Sequence, residues 1–402
     1  MTSTPPGSSG SPQETQSDRV PARPRPSVSS TDDPSPSATW EERQQFDAAS
    51  MDRATLARLF PEFKIVDRIH HGGFGAVYSA FHRKLNKPVA FKVFSRPPGV
   101  EGRTTTGFLK DLELLDQLPF DGLVRTVVSG ERNGILFLAQ EWVDGIDLAT
   151  LQRLRPEIPV GVACALVHKA AKVLQNLHEK GIKHLEIKPS ELMVERTAGD
   201  PSVRVLNVGL SRLSEMKTQG FSLDLTGKFR GTVDYLAPEQ IERPREVDER
   251  ADLYALGAVL YRLLTGRTPH QGEQPAETAY QTILRLTREP AEPLTRWRPG
   301  LPGPLADLVQ RMIAPSPLDR PLNMAVVMAQ LAPYGDAEGL RTWLAQAPFP
   351  EPPRLPERRS GPPRPVTQGA LAGAAPPRRV FWLAWVLGLA GLLALAWWGF
   401  AG

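Results

Sequence analysis

The sequence predicts an α+β chain in which a small β-rich lobe precedes a larger helical lobe, with one transmembrane helix beyond them. Three observations carry this. Between Phe63 and Val143, the segments FKIVDRI, GAVYSAF, KPVAFKVF, LVRTVVSG and ILFLAQEWV are rich in β-branched and aromatic residues and separated by turn signals. After Asp147, apolar residues recur at three-to-four spacing, as in ACALVHKAAKVLQNLHEK and ADLYALGAVLYRLLTG. From Val380 to Ala401 run 22 residues without a charge.

Residues 1–39 are Ser, Thr and Pro with almost no large apolar side chain, so they cannot bury enough surface to offset the entropy of ordering, and disorder is expected. They lack the basic start and apolar core of a signal peptide. Residues 40–62 carry Phe46, Leu56, Leu59 and Phe60 at helical spacing, a helical extension to the globular part. Residues 63–333 have globular composition, and within their first part FLKDLELLDQL interrupts the strands with a helix. Residues 334–379 are expected as a short helical tail and a Pro- and Arg-rich linker, semi-extended at about 3.1 Å per residue. An inert spacer and one whose arginines favour an anionic leaflet are both open.

Residues 380–401 make roughly 30 Å of helix, the thickness of a bilayer's hydrocarbon core. Trp382 and Trp385 near one end, and Trp397 and Trp398 near the other, suit interfacial belts. Arg378 and Arg379 precede the run and only Gly402 follows, which predicts a single-pass tail anchor with the N-terminal bulk in the cytoplasm. The net charge of +4 is small, and no basic stripe interleaved with aromatics points to nucleic acid. Cys164 is the one cysteine, which excludes an intrachain disulfide and a cysteine-based zinc site.

The chemistry-bearing motifs lie in residues 63–333. IHHGGFGAVY is a glycine-rich turn between strands, where backbone N–H groups can approach phosphates without Cβ interference. Fifteen residues beyond Val77, VAFK places Lys92 on the next strand. Further on come GIKHLEIKPSELMV (residues 181–194), VRVLNVGLSR, GTVDYLAPEQ and ERADLYALG.

In order and spacing these segments resemble the protein kinase family, over about two-thirds of the chain. The resemblance implies a two-lobed kinase fold that binds ATP with Mg²⁺. Gly72 and Gly75, with Gly73 between them, match the phosphate-covering loop, and His70 stands where the family has its first glycine. Lys92 corresponds to the lysine of the V-A-I-K strand, and Asp111 to the helix acid that pairs with it. Val77, Ala90, Val143 and Met193 would line the adenine site, with Glu141 opening the hinge.

In the catalytic loop His184, Lys188 and Pro189 match the family. Leu185 replaces the arginine that reads activation-loop phosphorylation, Glu186 replaces the aspartate base, and Glu191 replaces the metal-binding asparagine. The D-F-G segment is Asn207-Val208-Gly209. Glu239 of A-P-E, its partner Arg320 and the buried-type Asp252 match the scaffold.

The extra methylene of Glu186 moves its carboxylate by more than an ångström, a displacement that costs on the order of 10²-fold in rate. Asn207 offers a neutral oxygen where an anionic metal ligand is expected, while Glu191 adds an acid where an amide is expected. Three readings follow. The first is a membrane-tethered pseudokinase that scaffolds or allosterically regulates a protein partner, with ATP binding retained through Lys92 and Gly72. The second is an active Ser/Thr kinase acting on a protein substrate, with Glu186 as base and Mg²⁺ on Glu191 and Asn207. The third is an interaction domain with an empty cleft.

Overall fold

β-Branched and aromatic residues alternate along Phe63–Phe94, and this part of the chain folds as an antiparallel meander. The structure, a computed structural model, describes residues 51–72, 75–94, 107, 109–110, 112–113, 115–118, 121–197, 199–208, 233–271 and 279–351. Strands β1 (Phe63–Gly72), β2 (Gly75–His82), β3 (Lys87–Phe94), β4 (Thr126–Arg132) and β5 (Ile135–Glu141) form one sheet in the order β1-β2-β3-β5-β4. On β3, Val89, Phe91 and Val93 point to one face and are buried, whereas Ala90 and Lys92 point to the other.

Helix α1 (Arg53–Leu59) covers the first face. Asp52 caps it, its carboxylate accepting the Thr55 N–H at 2.7 Å. Leu56 and Phe60 are fully buried against the sheet, with the Phe60 ring 5.1 Å from Phe91 and 5.0 Å from Phe137, spacings at which aromatic rings attract. Arg132 closes this cluster, donating to the Leu59 carbonyl at 2.9 Å and pairing with Glu62 at 2.8 Å. The described residues between 107 and 116 are helical, and Leu112 packs on Leu138 of β5.

The second lobe is helical, as expected. It comprises α2 (Leu148–Leu154), α3 (Val160–His178), α4 (Pro238–Glu242), α5 (Arg250–Thr265), α6 (Ala279–Arg288), α7 (Leu294–Trp297), α8 (Gly303–Met312), α9 (Met324–Leu331) and α10 (Ala337–Ala345). Helices α3 and α5 are the centre of its core, buried along nearly their whole length. Gly257 allows α5 to approach α8 closely, because a Cβ there would lie 2.6 Å from the Met312 Cβ. Cys164 is buried on α3, which raises its thiol pKa to about 12 and leaves it an apolar packing residue. The last turn of α10 is pinned by Arg155, whose guanidinium donates to the Trp343 carbonyl at 2.6 Å and lies 4.1 Å from its ring.

Between the lobes lies a three-stranded sheet, β6 (Gly145–Asp147), β7 (Leu192–Glu195) and β8 (Val203–Val205), that the sequence reading did not separate from loops. Its strands are three or four residues long, too short to show a period. β4 likewise begins at Thr126 rather than Leu123, since Leu123 instead makes an isolated parallel bridge to Val205. Residues 1–39, the run 380–401 and the linker before it lie outside the described residues. Among those described, no helix is long and apolar enough to cross a membrane.

Candidate active site

β1 and β2 close the glycine-rich hairpin by pairing Gly72 with Gly75. Gly75 has φ +138°, and a Cβ there would lie 2.0 Å from the Val93 carbonyl oxygen, so no other residue fits this position. Gly73 lies outside the described residues, as do Asp111, Gly209 and the segment that follows it. His70, in place of the family's first glycine, pairs with Val77 after a register shift in β1.

The register puts a set of predicted residues on one sheet face. Val77 lies directly opposite Lys92, Lys92 opposite Leu138, and Ala90 opposite Gln140, so these side chains share the face turned from α1. Val77 and Ala90 are half-buried, as is Met193 on β7 between the buried Leu192 and Val194. Val143, in the connection between the lobes, is buried. The side chain of Glu141 is committed elsewhere: its carboxylate accepts from Arg204 and from the Arg125 N–H at 3.1 Å. Any part of Glu141 in holding a base is left to its backbone.

Beneath the sheet, a buried aspartate organises the catalytic-type loop. Asp252 accepts the His184 N–H at 2.8 Å, the Leu185 N–H at 2.7 Å and the His178 ring at 2.8 Å. Burial alone would raise its pKa, but the His178 hydrogen bond and the nearby histidines hold it below the usual carboxylate value. These bonds stabilise Leu185 at φ +63°, a left-handed conformation that costs an ordinary side chain on the order of 1 kcal/mol. Gln240 on α4 adds a bond to the Leu185 carbonyl at 2.9 Å. His184 accepts the Glu186 N–H on Nδ1 at 3.3 Å and faces the Leu206 carbonyl with Nε2 at 2.8 Å, which places its ring proton on Nε2. The imidazole thereby joins the loop to the strand leading into Asn207.

The second scaffold pair is a buried ion pair. Arg320 and Glu239 meet in two parallel bonds of 2.6 and 2.7 Å. The remaining Arg320 donors reach the carbonyls of Ala314, Pro315 and Arg250, so all five N–H groups are satisfied.

In the cleft itself, the polar groups form one chain. Lys92 Nζ donates to Gln140 Oε1 at 2.6 Å and to Asn207 Oδ1. Asn207 Nδ2 donates to Glu191 Oε2 at 2.5 Å, and Asn207 sits at φ +59°. Lys188 lies 3.5 Å from Glu191 and donates to Glu186 at 2.7 Å. Burial pushes the Lys92 ammonium down to about 8, only partly offset by Glu191 and Glu186. For Lys188 burial also acts downward, but the two glutamates outweigh it and its pKa is raised.

Two residues in this arrangement escaped the sequence reading. Gln140 sits next to Glu141 at the polar end of the strand ILFLAQE, so nothing in the local sequence set it apart. Arg204, in the short V-R-V strand, staples Glu141, Glu195 and the Leu123 carbonyl together behind the hinge. Val208 is buried, and with Leu112, Leu115, Leu118, Leu123 and Gln140 it lines a cavity of about 20 Å³, room for roughly one water.

The half-buried apolar walls and the Lys92 ammonium fit a nucleotide. The donor set fits magnesium poorly. Among the described residues Glu191 is the carboxylate bonded to Asn207, and the amide turns its N–H end, not its oxygen, toward that carboxylate. Reversing the amide would set its N–H groups against the Lys92 ammonium. Among the described residues, no group of three acidic, histidine or cysteine side chains is placed to hold a metal.

Comparisons with known proteins agree with this geometry. The protein kinase domain model matches residues 63–331, more than half of the chain. The serine/threonine-protein kinase pkn3 of Myxococcus xanthus is 30% identical over 274 residues, 67% of this chain and 49% of the relative. The serine/threonine-protein kinase PknB of Mycobacterium tuberculosis is 28% identical over 288 residues, 71% of this chain and 44% of the relative. The chain thus spans about half the length of these curated relatives. The crystal structure of the Mycobacterium tuberculosis PknI kinase domain superposes with a TM-score of 0.51 at 23% identity, covering 68% of this chain and 96% of that one, a likeness of fold. With the two lobes, the buried loop-organising aspartate and the motif order on the same chain, the protein belongs to the protein kinase domain family.

Proposed function

We propose that this protein is a pseudokinase: a signalling domain that keeps a nucleotide-shaped cleft and a rigid kinase scaffold, acts through a protein partner, and is held at a membrane by residues 380–401. The observation that carries this reading is the position of Asn207, whose amide bridges Lys92 and Glu191 where phosphoryl transfer needs anionic oxygens around a cation. Glu186 departs at the base position in the same loop and is paired with Lys188. Leu185 removes the arginine through which phosphorylation would order the following segment by an ion pair. The uncharged run 380–401, flanked by Arg378 and Arg379, supports the tether with the kinase-like domain on the cytoplasmic side.

The second reading, an active Ser/Thr kinase, draws on the intact scaffold around Asp252 and on the contact between Glu191 and Asn207. It requires the Asn207 amide to turn over. A phosphate-transfer assay with γ-labelled ATP, run on wild type and Lys92→Ala, separates the two. No Lys92-dependent incorporation into the protein or a generic acceptor is expected; incorporation abolished by Lys92→Ala would establish the second reading instead.

A further inference from the structure

We infer that the cleft takes a nucleoside triphosphate as the free anion, without a divalent cation, its phosphates neutralised by the ammonium groups of Lys92 and Lys188. This rests on the reading of a retained nucleotide site and names the form of ligand it holds.

The first argument is the polarity of one amide. Asn207 has one acceptor end and one donor end, and both are engaged with groups of opposite character: Oδ1 with the Lys92 ammonium, Nδ2 with the Glu191 carboxylate at 2.5 Å. The reverse orientation would make both contacts repulsive, so the side chain is held by two charge-assisted bonds. A cation placed between Glu191 and Asn207 would meet N–H groups. Magnesium requires close, near-octahedral oxygen ligands and gives up its waters reluctantly, so a single carboxylate competes badly with bulk water for it.

The second argument is charge. Lys92, Lys188, Glu186 and Glu191 carry two positive and two negative charges in the cluster. A carboxylate at position 207 would make the sum negative, which attracts a metal and repels a bare triphosphate. With the amide there, the cluster repels neither, and its least solvated cation faces the cleft. Lys92 is nearly buried and rests on two neutral oxygens among the described residues.

The test is equilibrium binding of ATP to the full chain in detergent, by calorimetry or thermal shift, in EDTA and in MgCl₂. The expected result is saturable binding in EDTA, at least as tight as in MgCl₂. Binding weakened about tenfold or more by EDTA, or no binding in either condition, would overturn the inference. Asn207→Asp is expected to weaken binding in EDTA by about tenfold, the effect of one added charge near the phosphates, and to make binding respond to magnesium. Glu191→Gln removes a like charge and is expected to tighten binding in EDTA; if that variant weakens it, the inference fails even where Asn207→Asp does not fold. Magnesium-dependent binding without phosphate transfer would overturn this inference and leave the pseudokinase reading standing. Phosphate transfer would overturn that reading instead.

Discussion

Arg320 and Lys92 are both buried cations, one in the helical lobe and one in the cleft, and their surroundings differ in kind. Arg320 meets a carboxylate in two parallel bonds and three carbonyls, with its side chain 0% and that of Glu239 5% exposed. Lys92 rests, among the described residues, on two amide oxygens, with the glutamates acting on it from farther away. A buried charge is tolerated when its partner and hydrogen bonds replace the lost water, and is costly when they do not. The helical lobe is thus electrostatically closed upon itself, while the cleft holds a cation short of countercharge. Where sequence changes preserve one kind of site and alter the other, the fold persists and the chemistry shifts.

The largest effect is expected at the closed site. Arg320→Ala leaves the Glu239 carboxylate buried and unpaired, and should cost about 3–5 kcal/mol. In a domain of this size that is roughly a 10 °C fall in Tm. A loss under about 1 kcal/mol in chemical denaturation would mean that the pair behaves like a surface contact, and the contrast would break.

A smaller effect of opposite sign is expected at Lys92. Lys92→Met removes a charge that the fold desolvates, at the expense of two amide acceptors left without a donor, so unliganded stability should rise by about 1 kcal/mol. The pH dependence follows from linkage. The Lys92 pKa is about 8 when folded, against an ordinary value of 10.5. Below pH 8 the folded state carries the full cost of the buried charge. Between about 8 and 10.5 the folded protein sheds this proton while the unfolded chain keeps it, so this residue's contribution to stability rises with pH. Denaturation curves across that window should show the rise in wild type and lose it in Lys92→Met. An identical slope in both would place the low pKa elsewhere.

The smallest effect is expected at Val208. The cavity of about 20 Å³ beside it accepts one methylene but not a ring. Val208→Leu should therefore add up to about 1 kcal/mol of stability, and Val208→Phe should lower it by overpacking. Thermal melts of the two variants sharpen the comparison by showing how far the cleft's back wall departs from close packing.

Much of this was legible in the residues. The strands of the first lobe follow from β-branched runs and turns, and β3 has the bounds that KPVAFKVF implies. The long helices α3 and α5 follow from their apolar spacing. Asp252 and the Glu239–Arg320 pair were identified through the motifs that carry them, because motif order is itself a one-dimensional property. The short sheet β6-β7-β8 was not legible, since three residues do not reveal a period of two and its partners are far apart in sequence. Gln140 and Arg204 were missed for the same reason: each is an unremarkable residue locally, and its meaning comes from a partner 48 or 63 positions away.

The sequence by itself determined that the chain has a two-lobed kinase architecture and that Leu185, Glu186, Glu191, Asn207 and Val208 depart together from the family's pattern. Those are statements about which residue stands where. It could not determine what the exchange of acid and amide between positions 191 and 207 does, because composition at the two positions is conserved by the swap. Only the tertiary structure decided that, by bringing an ammonium to one end of the Asn207 amide and a carboxylate to the other. An amide has a single oxygen end, so a side chain held by both neighbours has its direction set by them, and the direction of a dipole exists only once the chain has folded.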